Sequence, residues 1–305
     1  MEFDQAFANL STLQSWFWEN CRPRVPVTNI HMGDYLIHNQ ADADALVGKT
    51  VRGRVRIYAS GSAVTRLDIR DFGVQWDGVS TGLANTRLVE LMNGASNIYI
   101  HHFLLDGDNG LTTSGIYGTT YSANLLVELG EIRRVGNDGF CTHKKSVYRR
   151  LYVHAFRAWN EATDGVYNSK DSQDFCSHSD GFQTLRSGNL VEECWIDNTI
   201  AANGTSAMMI KSDTNETIDG LIVRRCYLNG GGYTVHIHNA NGSLTNPGPY
   251  GYPCNIVLTN NLFGRNYRLG LWSHGDVPSD NITKSGNVWA DTRLPVLDAR
   301  YVAYP

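Results

Sequence analysis

Four histidines and a lysine fall at matched places in five short strand-like segments. The segments are Gly139-Phe140-Cys141-Thr142-His143-Lys144, Gly181-Phe182-Gln183-Thr184-Leu185-Arg186, Ala207-Met208-Met209-Ile210-Lys211-Ser212, Thr234-Val235-His236-Ile237-His238-Asn239 and Gly270-Leu271-Trp272-Ser273-His274-Gly275. Side chains alternate across a strand. Phe140, Phe182, Met208, Val235 and Leu271 are therefore expected to share one inward column, and Thr142, Thr184, Ile210, Ile237 and Ser273 the other. Two outward columns remain: Cys141, Gln183, Met209, His236 and Trp272, then His143, Leu185, Lys211, His238 and His274. Histidine exchanges protons near neutral pH. A lysine beside other cations is easier to deprotonate. Lys211, His236 and His238 are thus candidate catalytic groups for removing a proton beside a carboxylate, with Lys211 and Arg186 placed to neutralise that carboxylate. His143, Gln183, Arg186, His274, Tyr233 and Trp272 are candidate substrate contacts, the aromatic pair by stacking on sugar rings.

Carboxylates offer a second chemistry. Asp138 and Asp180 each precede the glycine of a strand and should stack in one column. In-register strands lie about 4.8 Å apart, a separation that suits a retaining rather than an inverting hydrolase pair. Asp before Gly is also ordinary turn chemistry. His178, Asp180 and Asp213 could together hold calcium, although no Asp-rich loop of the usual spacing accompanies them. No other cofactor or metal site is expected.

These segments need a scaffold that stacks them, and a second series of runs supplies it. They are Tyr99–Leu105, Leu126–Ile132, Val147–Val153, Leu190–Ile196, Ile222–Leu228, Val257–Phe263 and Thr283–Trp289. Aligned, they place Phe103, Gly130, Leu151, Cys194, Cys226, Asn261 and Asn287 in one column, at spacings of 27, 21, 43, 32, 35 and 26 residues. A repeat of this length marks a solenoid, and units made of strands and turns make it a β-helix. The fold class expected is all-β: a right-handed, single-stranded parallel β-helix of about seven to nine coils with an N-terminal capping helix.

Residues 1–50 read as cap and transition, 51–290 as the β-helix and 291–305 as a closing segment. Phe3, Phe7, Leu10, Leu13 and Phe17 recur at helical spacing, so residues 3–20 are expected to cover the first coil. Long connections at 106–122, 154–178 and 239–254 interrupt the coils, and the last two are expected to wall the His and Lys columns.

The 305 residues carry 18% charged side chains and a net charge of −4. No basic footprint for nucleic acid, no basic face for a membrane and no run of about 18 apolar residues to span one is evident. No basic stretch followed by an apolar run opens the chain, so no secretory leader is expected. The six cysteines lack a metal-ligand spacing. Cys194 and Cys226 share a column and read as stacked, buried thiols, although a disulfide between them is geometrically allowed.

His178-Ser179-Asp180-Gly181-Phe182-Gln183, the run from Asn189 to Asn198, and the later runs 220–229 and 255–263 resemble the right-handed parallel β-helix, pectate-lyase-like superfamily. The resemblance spans about residues 50–290. It implies polysaccharide as the partner, met by lyases, glycoside hydrolases or phage tail-spike proteins, the last often homotrimers beside other virion proteins. Three functions are therefore expected in order. First is a virion tail protein that binds, and can degrade, a bacterial surface polysaccharide. Second is a secreted lyase or glycoside hydrolase. Third is a non-catalytic structural solenoid. The expected location is the virion or the extracellular space.

Overall fold

The computed structural model describes residues 1–62, 64–76, 86–92, 94–108, 113–118, 122–157, 179–199, 205–212, 216–239 and 242–296. Within them the chain winds as a right-handed parallel β-helix. Strands form a 16-stranded and a 9-stranded sheet, and every pairing between named strands is parallel. Pairing begins at Asn29–Met32 against Lys49–Arg52 and at Tyr35–Ile37 against Val55–Ile57.

The column that starts at Phe103 is present as the sequence implies. Glu131 pairs with Leu104 and Tyr152, Trp195 with Tyr152 and Tyr227, and Leu262 with Tyr227 and Val288. Their preceding neighbours Phe103, Gly130, Leu151, Cys194, Cys226, Asn261 and Asn287 therefore stack. Cys194 and Cys226 are free, buried thiols on adjacent coils. Further along, amides replace them. Asn261 Oδ1 accepts from the Cys226 N–H at 2.9 Å, and Asn287 Oδ1 accepts from the Asn261 N–H at 3.0 Å. Each buried backbone donor at the bend thereby finds a partner. Gly130 belongs to the column because a Cβ there would lie 2.1 Å from Phe103 Cζ.

Each coil turns at residues in the left-handed region. One ladder runs Asp71, His102, Leu129, Arg150, Glu193, Arg225, Asn260 and Gly286, one per coil for eight coils. A second runs Asn97, Asn124, Lys145, Gly188, Gly220 and Asn255. Between these corners one limb of the long sheet faces the 9-stranded sheet across the core, where the Phe140 and Phe182 rings stack 5.3 Å apart.

The N-terminal segment is helical, but it does not cover the first coil. It forms α1 (Phe3–Phe7) and α2 (Leu10–Asn20), separated at Asn9, whose side chain accepts from the N–H groups of Ser11 and Thr12. The two helices lie along the side of the solenoid. Phe3, Leu13, Trp16 and Phe17 pack on Tyr152, Trp195, Tyr227 and Leu262, which come from successive coils. Arg293 Nη2 donates to the Ala8 carbonyl at 2.9 Å, and Arg22 pairs with Glu131 at 2.8 Å, which fixes the two ends. The physical reason is the outward aromatic column itself, whose rings bury the apolar face of the helices. The helix that covers an early strand edge is α3 (Gln40–Leu46), within the stretch read as transition, which lies along the Leu67–Arg70 part of the long sheet. Ala43 and Leu46 of α3 enter the core, and Gln40 donates to the Asp68 carbonyl at 2.9 Å and accepts from its N–H. The helix thus blocks an otherwise open strand edge.

Candidate functional site

The 9-stranded sheet sets the register of the chemistry-bearing segments. Phe140, Phe182, Met208 and Val235 share one inward column, and Cys141, Gln183, Met209 and His236 the adjacent outward one. Lys211 pairs with His238 in the next outward position. The last strand departs from expectation by one residue: Val235 pairs with Trp272, and His236 with Ser273. Trp272 is therefore not a sugar platform. It is 1% exposed, packs its ring 5.1 Å from Phe263, and belongs to the core. The cause lies at the start of these strands. A Cβ on Gly181 would sit 2.2 Å from Ile196 Cγ2, and one on Gly139 2.6 Å from Val153 Cγ1. These glycines and the following phenylalanines both face inward, so strict alternation fails there, and Leu271 and Trp272 are both buried.

Asp138 and Asp180 do come together. The Asp180 N–H donates to Asp138 Oδ1 at 3.2 Å, and Ser206 Oγ donates to Asp180 Oδ1 at 2.5 Å. Both carboxyl groups are buried. Burial first, and then the neighbouring Asp138 charge, raise the Asp180 pKa well above the usual carboxylate range, against the opposing pull of Ser206 and Lys211. Asp180 is thus a carboxyl group that favours its protonated form. The Cys141 thiol, 3.9 Å from Asp138 Oδ2, is pushed up by burial and by both carboxylates, so it is no nucleophile.

Beyond this pair stand the histidines. His238 Nδ1 lies 2.5 Å from Asp276 Oδ2, with the His238 side chain 38% exposed. The Asn239 N–H also donates to Asp276 Oδ2 at 2.9 Å, which fixes the carboxylate. The His236 ring centroid is 5.6 Å from that of His238 and 5.7 Å from Tyr233. Burial, then the charges of His238 and Lys211, lower the His236 pKa to about 4 despite Asp276. Its buried Nδ1 has no hydrogen-bond partner among the described residues. Gln183 is half-buried between Cys141 and Met209 on the same face.

Three other expected contacts lie below the surface. His143 is buried, its Nδ1 2.8 Å from the Tyr148 hydroxyl, and burial with the nearby Arg186 charge lowers its pKa to about 3. Arg186 is itself buried and donates to the Leu185 carbonyl at 2.6 Å. His274 is buried with Nε2 3.1 Å from Lys284 Nζ. His143 follows the end of its strand, where the chain turns inward and the two-residue period no longer applies, whereas the one-residue shift of the last strand carries His274 inward with Trp272.

Sequence reasoning missed Asp276, Ser206, Arg87 and Tyr117. Asp276 follows the last strand in a Gly-Asp turn, and only the coil geometry brings it to His238. The Arg87 guanidinium sits 3.8 Å over the Tyr117 ring and binds Glu90 at 2.9 Å, and Glu90 pairs in register with Tyr117, so the polar face continues toward the N-terminal coils. His178, Asp213 and most of the 154–178 connection lie outside the described residues. In the 239–254 connection, the Tyr252 hydroxyl donates to the Leu244 carbonyl at 2.9 Å and Asn239 Nδ2 to the Pro247 carbonyl at 2.8 Å, which tie it to the end of the His238 strand. Among the described residues no three His, Cys, Asp or Glu side chains are poised to hold a metal ion.

The fold defines this chain as a parallel β-helix protein. No protein-family model matches its sequence, and no curated protein does. Among solved structures it is similar to an alginate lyase from Paenibacillus sp. str. FPU-7, at 12% identity over 84% of this chain and 94% of that one, with a TM-score of 0.42. It is also similar to the A-module of the Azotobacter vinelandii mannuronan C-5 epimerase AlgE4, at 11% identity over 86% and 96%, with a TM-score of 0.23.

Proposed function

We propose that the face of the 9-stranded sheet binds a uronate-containing polysaccharide and cleaves it by β-elimination. The observation that carries this reading is His238, partly exposed and oriented by Asp276, in register beside Lys211. With Asp276 accepting the Nδ1 proton, His238 Nε2 is left as the basic nitrogen. The Lys211 cation offsets charge on the uronate carboxylate as the adjacent proton leaves. In balance, the C5–H bond breaks with its proton passing to His238. Its electrons form the C4–C5 double bond, and the C4–O bond breaks. The leaving oxygen takes a proton from solvent, and His238 returns its own to solvent. Asp180 lies two coils from His238 and at the level of Tyr233, five positions earlier along the strand, and serves no step at this bond. No water is consumed. His236, kept neutral, and Tyr233 with Gln183 supply hydrogen bonds along the chain of sugars, one sugar per coil. The reading makes the chain an enzyme, in the order lyase before hydrolase.

The setting we propose is extracellular or on a virion, where the protein acts on a bacterial surface polysaccharide. Incubation with alginate, pectate and other uronate polymers tests the activity through the ultraviolet absorbance of the new double bond. Lys211→Ala and His238→Ala should remove that signal with melting unchanged. Binding without any cleavage by the intact protein would leave a receptor-type binder. Absence of both binding and cleavage across such polymers would reject the reading in favour of a structural solenoid. Immunodetection in purified particles tests the virion setting.

A further inference from the structure

The opposite flank of the solenoid carries a second repeated stripe, and it is apolar. On the outer face of the long sheet, Tyr99, Leu126, Val147, Leu190, Ile222 and Val257 stand in register on six successive coils. Ile222 is 40% exposed, and a trough of about 430 Å³ runs between Lys145, Leu190, Gly220 and Val257. Two residues along the four middle strands lies a rail of charge, Glu128, Arg149, Glu192 and Arg224, again in register and flanked by His101 and Thr259 on the outer two. Within the chain Arg149 binds Glu128, and Arg224 binds Glu192 at 2.6 Å, with the arginines 38% and 48% exposed.

We propose that this stripe is the contact for a second copy of the chain, packed antiparallel about a two-fold axis. The symmetry of the residues carries the argument. An even series of alternating charges is complementary to itself when reversed. A two-fold axis along the strand direction, between the coils of Val147 and Leu190, turns rail onto rail and stripe onto stripe. Glu128 then faces the Arg224 position of the other copy, and Arg149 faces Glu192. On the stripe Leu126 meets Ile222, Val147 meets Leu190 and Tyr99 meets Val257. The bare Gly188 and Gly220 of the bordering turn lie opposite Lys145 and Asn124, so the longer side chains meet the positions without any. A parallel arrangement of the same faces would set like charge against like. A sugar chain is the poorer occupant, since five of the six stripe residues are aliphatic and offer neither a stacking ring nor a hydrogen bond.

The stripe is about 24 Å long, five intervals of about 4.8 Å, and little more than one strand wide. The contact therefore falls at the small end of specific interfaces, below about 1,200 Å² in total. Association is weak and concentration-dependent, and it leaves the proposed polysaccharide face of both copies open. The proposal does not depend on that face having any activity.

Sedimentation velocity over a wide concentration range tests it. The mass should rise from the 33.9 kDa of the monomer toward twice that value. Ile222→Asp, an exposed substitution, should raise the dissociation constant at least tenfold with melting unchanged. A second measurement fixes the geometry. In a background of Cys176→Ser and Cys254→Ser, Leu126→Cys and Ile222→Cys chains should form a disulfide-linked dimer when mixed and oxidised, and neither should do so alone. A monomer at every concentration would overturn the proposal. So would self-crosslinking of either variant, which means parallel packing, or an oligomer indifferent to Ile222→Asp.

Discussion

His238 Nδ1 and Asp276 Oδ2 lie 2.5 Å apart, joining two coils whose residues are 38 positions apart in the chain. The backbone N–H of Asn239 holds the same carboxylate oxygen. Asp276 therefore selects the His238 tautomer and its ring orientation, much as a carboxylate does in other histidine bases. Asp276→Asn keeps the shape and removes the preference for the Nδ1 proton. The expected outcome is a loss of 10²- to 10⁴-fold in kcat with KM little changed. A loss confined to KM would mean that Asp276 shapes binding rather than the base.

Asp180 makes a prediction whose sign is set by its raised pKa. Its folded state favours the neutral acid, so holding the carboxylate costs stability once the pH rises above the ordinary carboxylate range. Asp180→Asn keeps an oxygen to accept from Ser206 and can never charge. The variant should melt higher than the parent at pH 8, with the gain shrinking toward pH 4. Equal melting at both pH values would show that Asp180 is not held protonated.

Three histidines set the acid side of the stability curve. Burial is the leading cause that lowers His143 to about 3 and His102 and His236 to about 4. A histidine depressed in the fold favours its neutral form there, so its contribution is complete above the unfolded value of about 6.5 and is lost as pH falls toward the folded value. Glu128 and Glu131, lowered by their hydrogen-bonded Arg149 and His154 against burial, lose their contributions only below about pH 4.5. The histidine contributions should thus be lost between pH 6.5 and 4.5, opposed by Asp180 and Asp197, whose raised carboxyl groups recover stability as they protonate. For His143, which is 3% exposed, the loss amounts to a few kcal/mol once complete. His143→Gln removes one of these losses, so the denaturant midpoint of the variant should gain on that of the parent as pH falls from 6.5 to 4.5. A difference between the two proteins that stays constant from pH 7 to 4.5 would contradict the His143 assignment.

Repetition made the stacking legible before any coordinates. The column from Phe103 to Asn287 could be aligned because each coil repeats an apolar–polar–apolar run, and a one-residue slip would have turned a hydrophobic face outward. The same logic placed Lys211, His236 and His238 on the outer face. It failed at Trp272 and His274 because consecutive inward residues at the strand start hid the one-residue displacement of the last strand, and at His143 because the period of two lapses just past a strand end. Glycine at the strand start looked like a register mark, yet Gly270 pairs with Tyr233, whereas Gly181 pairs in register with Ala207. Contacts between coils with no shared pattern, such as Asp276 on His238 or Ser206 on Asp180, follow from the fold alone. The position of α1 and α2 was hidden for a related reason. An amphipathic helix announces that it needs an apolar partner, and the outward column of Tyr152, Trp195 and Tyr227 announces the same, but no local signal joins the two.

That junction gives the last prediction. In a solenoid each coil touches only its neighbours, so unfolding can proceed from an end, coil by coil. Here α1 and α2 tie together coils that are not neighbours: Arg22 holds Glu131, Cys21 Sγ donates to the Arg150 carbonyl at 2.9 Å, Asp4 pairs with Arg225, and Arg293 donates to the Ala8 carbonyl. At the centre Phe17 is fully buried, with ring centroids 5.8 Å from Tyr152 and 6.2 Å from Trp195. Phe17→Ala should cost about 3–5 kcal/mol, as for other large buried aromatics. It should also change the form of unfolding. In the parent, tryptophan fluorescence and far-ultraviolet circular dichroism should report one coincident transition. In Phe17→Ala the two should separate, because the helices release first and the C-terminal coils, no longer tied to the third and fourth, open before the rest. Coincident transitions in the variant, with a loss below about 1 kcal/mol, would show that the helices only decorate the stack, since exposed packing costs no more than that.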